Sequence, residues 1–172
     1  MARQVGVVLL TIGVLVLLGG GASIFWRPAD EVVYDASGPA GTCTPRFGCI
    51  ALYRLEVGNT GSAPQEDVGV RLHAAVVESA VTPPNVQDYG KFDRPFRVSR
   101  DDDGDSVIYA LGPLAPEARV VLSFVLRRDS RERLPFWRDV LVAVEPARGS
   151  ALPGSPGFVI LLRMWYAIAR VV

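Results

Sequence analysis

The apolar run from Val5 to Trp26 holds one threonine, one serine and no charge over twenty-two residues. At about 1.5 Å per helical residue it reaches roughly 33 Å, enough for a hydrocarbon core of about 30 Å. The run therefore predicts a transmembrane helix, with residues 1–26 as an N-terminal signal anchor. A cleaved signal peptide is the competing reading, because Gly20 and Ala22 are small residues at the spacing a cut before Ser23 requires. Against it, Ile24, Phe25 and Trp26 carry the apolar run past that cut, and aromatic residues there suit the interfacial belt, Trp26 among them. Arg3 and the α-amino group precede the run and Arg27 follows it, a near tie that the amine tips toward a cytoplasmic N-terminus. The expectation is a single-pass protein of the cell membrane whose remaining chain is extracytoplasmic, periplasmic or extracellular.

Of 172 residues, about 145 follow the run, room for one ordinary core and hardly two. Eighteen basic residues balance eighteen acidic ones without a basic block, which argues against a nucleic-acid partner. Thirteen prolines and seventeen glycines are spread through the chain, a pattern of short strands joined by turns.

Residues 27–42 read as a linker, broken by Pro28, Gly38, Pro39 and Gly41, with Glu31 to Tyr34 as a first edge strand at most. Cys43 and Cys49 then close a seven-residue ring, a staple that would contribute about 2 kcal/mol if the bond forms. A redox pair would favour C-x-x-C spacing, and a zinc site would need more ligands than one histidine and no further cysteine supply.

From Cys49 to Asn59 the residues alternate, with Cys49, Ala51, Tyr53, Leu55 and Val57 on one face. A second alternation puts Val68, Val70, Leu72, Ala74 and Val76 inward, leaving Arg71 and the sole histidine, His73, on the polar face. Val107, Tyr109 and Leu111 share a face in a third. Val120, Leu122, Phe124 and Leu126 do so in the clearest strand, Ala118 to Arg128. Trp137 to Val144 reads as the last strand, with Trp137 closing one end of the core.

Between these lie two connections of interest. Val81 to Arg97 is long and aperiodic, with a short strand near Phe96 to Ser99, and its Lys91, Phe92, Arg94 and Phe96 form a candidate partner contact. Asp101, Asp103 and Asp105 stand at alternate positions, but an EF-hand would want glycine at Ser106 and glutamate at Gly112. A solvated hairpin tip turned by Gly104 is the simpler reading, and a looser calcium site the alternative.

The order of turns resembles a known family. Tyr53-Arg-Leu-Glu-Val-Gly-Asn-Thr-Gly61, Val68-Gly-Val-Arg-Leu72, Tyr109-Ala-Leu-Gly-Pro-Leu-Ala-Pro116 and Val120-Val-Leu-Ser-Phe-Val-Leu126 look like the bacterial extracytoplasmic immunoglobulin-like modules of the CARDB type. The resemblance covers about Cys49 to Val144 and implies an immunoglobulin-like β-sandwich of about seven strands over residues 43–146, acting as a spacer or binding surface. It transfers no catalytic residue and no cofactor. Glu117 stands where the family has glycine after the leucine-alanine-proline turn.

A second linker, 147–157, ends in Pro153-Gly-Ser-Pro-Gly157 and leads to Phe158–Val172, apolar except for Arg163 and Arg170. Fifteen helical residues reach about 22 Å, short for a span, so an interfacial helix is expected. Arg163, Trp165, Tyr166 and Arg170 are then candidate membrane-interface residues, although a short second span or a strand docked on the sandwich would also fit. No phosphate loop, nucleophile elbow, zinc pattern or histidine-centred triad is evident. The sequence thus points to an all-β, membrane-anchored, non-enzymatic interaction or scaffold module. Its expected partners are the lipid bilayer and another membrane or envelope protein, with no nucleic acid, small-molecule substrate, metal or cofactor. The alternative is an accessory subunit of a membrane enzyme or transport assembly, with glycines 13, 19, 20 and 21 permitting close helix contact.

Overall fold

A computed structural model describes residues 28–88, 97–101, 104–129 and 132–169, with side chains of the last helix described at 156–162 and 165. The expected anchor, including Trp26, lies outside the described residues.

Among the described residues nine strands make a two-sheet β-sandwich, two more than the seven or so expected. They are β1 (Glu31–Thr44), β2 (Gly48–Asn59), β3 (Val68–His73), β4 (Ala80–Asp88), β5 (Arg97–Arg100), β6 (Ser106–Ala110), β7 (Arg119–Arg128), β8 (Leu141–Pro146) and β9 (Ser150–Pro153). One sheet has the order β4-β7-β2-β1-β9 and the other β5-β6-β3-β8. Every pairing is antiparallel except β1 with β9. Two helices complete the fold, α1 (Ala74–Glu78) and α2 (Pro156–Ala169).

The alternation read in β2, β3, β6 and β7 is the alternation that packs. Tyr53, Leu55, Val57, Val68, Val70, Leu72, Tyr109, Leu122, Phe124 and Leu126 are all buried in one core between the sheets. At its centre Tyr53 stacks on Phe124 (5.3 Å, 4°), and Trp137 meets both edge-on at 5.6 and 6.0 Å. The polar tips of two of these rings find carbonyls, as buried Tyr and Trp generally do. Tyr53 Oη donates to Pro135 O and Trp137 Nε1 to Ser37 O, both at 2.7 Å.

Five expectations are corrected. Residues 27–42 do not form a linker, because 31–44 are the longest strand of the sandwich. The glycines that suggested a break mark close contact instead: a Cβ at Gly41 would lie 2.0 Å from Ile50 O. Gly38, at φ +118°, precedes Pro39 where the register against β2 slips between Ser37 and Ala40. The long connection after Val81 begins as β4, which tolerates Pro83 and Pro84 because it is an edge strand with register slips at Ala80/Thr82 and Thr82/Asn85. The alternation through Ala74 and Val76 does not continue the strand; both side chains stay buried, but on the short helix α1. Trp137 belongs to a 3-10 turn (Trp137–Asp139), and the strand starts only at Leu141. The linker expected over 147–157 likewise contains β9 and the first turn of α2.

Candidate functional site

The sandwich has two distinct ends. At one, the base, the described chain begins. Ser62 N donates to Pro28 O, Ala63 N to Ala29 O, and Thr60 N to Glu31 O, so the first described residues are tied to the loop after β2. Buried Asn59 organises this loop: its Nδ2 donates to Ala63 O and Leu114 O, both at 2.9 Å, and its Oδ1 accepts from Gly61 N. Buried Gln65 adds a second tie, its Oε1 accepting from Arg148 N and its Nε2 donating to Asp30. These buried polar groups are satisfied by the fold and serve to fasten it. Glu117, in the position where the resembled family has glycine, holds φ at +66°, the left-handed region.

Helix α2 is also docked at the base. Pro156 fits over Gly58, where a Cβ would come within 2.5 Å of the proline ring, and Gly157 faces the Arg119 guanidinium, which reaches Glu56 at 3.2 Å. Pro156 and Ile160 are buried against the outer face of the five-stranded sheet. The opposite side of the helix carries Phe158, Leu161, Leu162 and Trp165, spaced i, i+3, i+4, i+7. Their exposures are 65%, 66%, 36% and 69%.

At the other end, the tip, the hairpin β1–β2 is closed by the disulfide Cys43–Cys49, whose two residues pair directly across the strands with Cα atoms 4.0 Å apart. Arg46 lies over the exposed Phe47 ring in the turn. Between base and tip, Ala36, Gly38, Phe136, Trp137 and Arg138 line a shallow open cleft of about 360 Å³ beside β1. Phe136 is exposed there with Arg138 over its ring at 5.4 Å. Past Tyr34 no further strand pairs with the outer edge of β1 among the described residues, since β9 covers only Glu31 to Tyr34.

The aspartate turn is occupied with its own structure. Asp101 accepts from the amide and hydroxyl of Ser106, its carbonyl accepts from Gly104 N, and Arg71 reaches its carboxylate at 3.4 Å. The Ser106 hydrogen bonds hold its pKa below the ordinary carboxylate value. Gly104 has φ +73°, as the hairpin-tip reading requires, while Asp102 and Asp103 lie outside the described residues. Arg71 also pairs with Glu145 at 2.8 Å, which with the Asp101 contact joins strands β3 and β8 to the β5–β6 turn. Among the described residues no three His, Cys, Asp or Glu side chains gather in a metal-binding group, and His73 is exposed at the end of β3. No described helix is long and apolar enough to cross a membrane.

Of the residues singled out from sequence, the structure brings together Cys43 and Cys49 and places Trp165 on an exposed helix face. Lys91, Phe92, Arg94, Phe96, Trp26 and Arg170 lie outside the described residues, as do the side chains of Arg163 and Tyr166. The sequence reading missed the cleft at Phe136 to Arg138, which depends on β1 and a turn a hundred residues away. It also missed the stripe of Phe158, Leu161 and Leu162, which lies in a segment so uniformly apolar that spacing alone selects no face.

No protein-family model matches the chain, and no curated protein sequence does. Several solved structures are similar to it, among them the following three. One is the GH20 exo-β-N-acetylglucosaminidase from Vibrio harveyi in complex with N-acetylglucosamine, at 9% identity and TM-score 0.41, covering 73% of this chain and 18% of that one. The second is a family IIIa CBD from Clostridium cellulolyticum, at 14% identity and TM-score 0.35, covering 73% and 98%. The third is the CBM3a-L domain with flanking linkers from a cellulosome scaffoldin of Clostridium thermocellum, at 15% identity and TM-score 0.33, covering 76% and 95%. The chain thus spans less than a fifth of the glucosaminidase, and scores this low give it no family.

Proposed function

We propose that this protein is a non-enzymatic interaction or scaffold module, held at a membrane by the apolar run before Pro28 and facing the extracytoplasmic side. The observation that carries the reading is the polarity of the sandwich. The residue that continues from the apolar run and the apolar helix α2 are both fastened at the base, while the disulfide-closed hairpin stands at the tip. Along β1, Glu31 and Cys43 are twelve residues apart, which at about 3.3 Å per residue separates the two ends by roughly 40 Å. An anchored base then leaves the Phe136–Arg138 cleft and the tip clear of the lipid and open to a partner. The paired cysteines support an oxidising compartment, and the immunoglobulin-like turn pattern supports a binding or spacer role.

The test is made in intact cells. A thiol-alkylation shift on the full chain should find Cys43 and Cys49 oxidised, and externally added protease should reach the sandwich after the outer barrier is opened. Affinity purification in mild detergent should recover a partner that is lost in the Phe136→Ser, Arg138→Ala double variant while membrane retention is kept. Free thiols together with a protected sandwich would place the domain in the cytosol and sink the reading.

A further inference from the structure

The base carries a feature that anchoring alone does not require. Helix α2 is apolar on both sides: Pro156 and Ile160 are used up against the sheet, yet Phe158, Leu161, Leu162 and Trp165 present a second apolar stripe to the outside. A stripe of this width normally faces a core or another apolar phase.

Chain length limits what can cover it. Only Arg27 separates Trp26 from Pro28, so the end of the apolar run lies within about 8 Å of Pro28 whatever its conformation. Pro28 is hydrogen-bonded to Ser62, four residues from Gly58, on which Pro156 sits. Summing these links puts the start of α2 within about 27 Å of Pro28, still less than the thickness of one hydrocarbon core, about 30 Å. A bilayer holding residues 5–26 is therefore already within reach of the stripe. The helix itself, fourteen residues or about 21 Å, is too short to cross it. Its described surface from Pro156 to Leu162 bears no charge, and Trp165 is an amphipathic ring suited to the headgroup level.

We infer that α2 lies in the lipid–water interface with Phe158, Leu161, Leu162 and Trp165 immersed, making a second membrane contact that fixes the tilt of the sandwich. This inference rests on the anchored reading given above. Because Pro156 is seated on Gly58 and Arg119 is packed under Gly157, the helix transmits its orientation to β2 and β7.

The experiment uses the full chain in lipid nanodiscs containing brominated phosphatidylcholine, in a W26F background so that Trp137 and Trp165 are the remaining indoles. Trp137 is only 9% exposed, at the cleft between base and tip, and should keep its emission. The expected result is loss of most of the Trp165 share, roughly half the total signal, and no quenching in the W26F/W165F chain. L161E/L162E should abolish the quenching while the melting temperature stays within a few degrees, since both side chains are outside the core. Full Trp165 emission from a chain retained in the nanodisc would overturn the inference, more so if aqueous acrylamide also failed to reach it, since that means protein covers the stripe. Release of the chain from membranes by alkaline carbonate would instead remove the anchor reading. Quenching of Trp165 by added brominated vesicles would then still decide whether the stripe takes lipid.

Discussion

Pro156 rests in the space left by the missing side chain of Gly58, with 2.5 Å between its Cβ and the position a Cβ at Gly58 would take. Gly58 is therefore the seat of helix α2 on the five-stranded sheet. Replacing it with alanine should cost about 1–3 kcal/mol through overpacking and should speed amide exchange throughout α2. Gly69 is the control, because a Cβ there meets nothing closer than 3.5 Å and Gly69→Ala should be neutral or slightly stabilising. Denaturant unfolding and hydrogen exchange on the two variants would check both outcomes.

Glu117 at φ +66° bears the usual cost of a left-handed side-chain residue, about 1–2 kcal/mol. Glycine relieves that strain but loses more chain entropy on folding, so Glu117→Gly should gain about 0.5–1 kcal/mol. Glu117→Val, with a branched Cβ, should lose stability. A melting series on the three side chains gives the order Gly, Glu, Val from most to least stable.

Removing the disulfide should lower stability without dissolving the sandwich. The Cys43→Ser, Cys49→Ser chain is expected to lose about 2 kcal/mol, the loop-entropy value for a seven-residue ring. Reductant should lower the melting point of the native chain to about that of the double variant and leave the double variant unchanged.

The aromatic centre should be the least replaceable part. Trp137→Ala removes the ring that meets Tyr53 and Phe124 and the donor to Ser37 O, with an expected loss of about 3–5 kcal/mol. Tyr53→Phe keeps the stack but leaves Pro135 O without its donor, at about 1–3 kcal/mol. A chevron or equilibrium titration of both would establish the ranking.

Stability should fall at both pH extremes. The Asp101 pKa is depressed in the folded chain, chiefly by the Ser106 hydroxyl, so its contribution is present above the ordinary value of 3.8 and is lost as pH falls through the folded value. Tyr53 and Tyr109 have pKa values raised by burial, so they favour the folded chain below pH 10.0 and that contribution is lost as pH rises beyond it. Asp101→Asn should flatten the acid limb of a melting-temperature profile and leave the alkaline limb in place.

Where one face of a strand is buried and the other wet, the sequence alone specified the structure. Tyr53, Leu55 and Val57, or Leu122, Phe124 and Leu126, could point nowhere else. β1 escaped that reading because Gly38, Pro39 and Gly41 look like breaks in sequence, and only the nearness of Ile50 and Leu52 shows what they accommodate. β4 escaped it because prolines are acceptable on an edge, and position in a sheet is not written locally. The α2 stripe was hidden in a different way. Nearly every residue from Phe158 to Ala169 is apolar, so the outward side emerges only once Pro156 and Ile160 are known to be spent on the sheet.

Beyond Tyr34 the outer border of β1 is unpaired among the described residues, the kind of edge another polypeptide can extend. Pro39 offers no amide along it, the slip beside Gly38 spoils its regular spacing, and the Ser37 carbonyl is already taken by the Trp137 indole. An edge so interrupted is a poor template for strand addition by a second polypeptide.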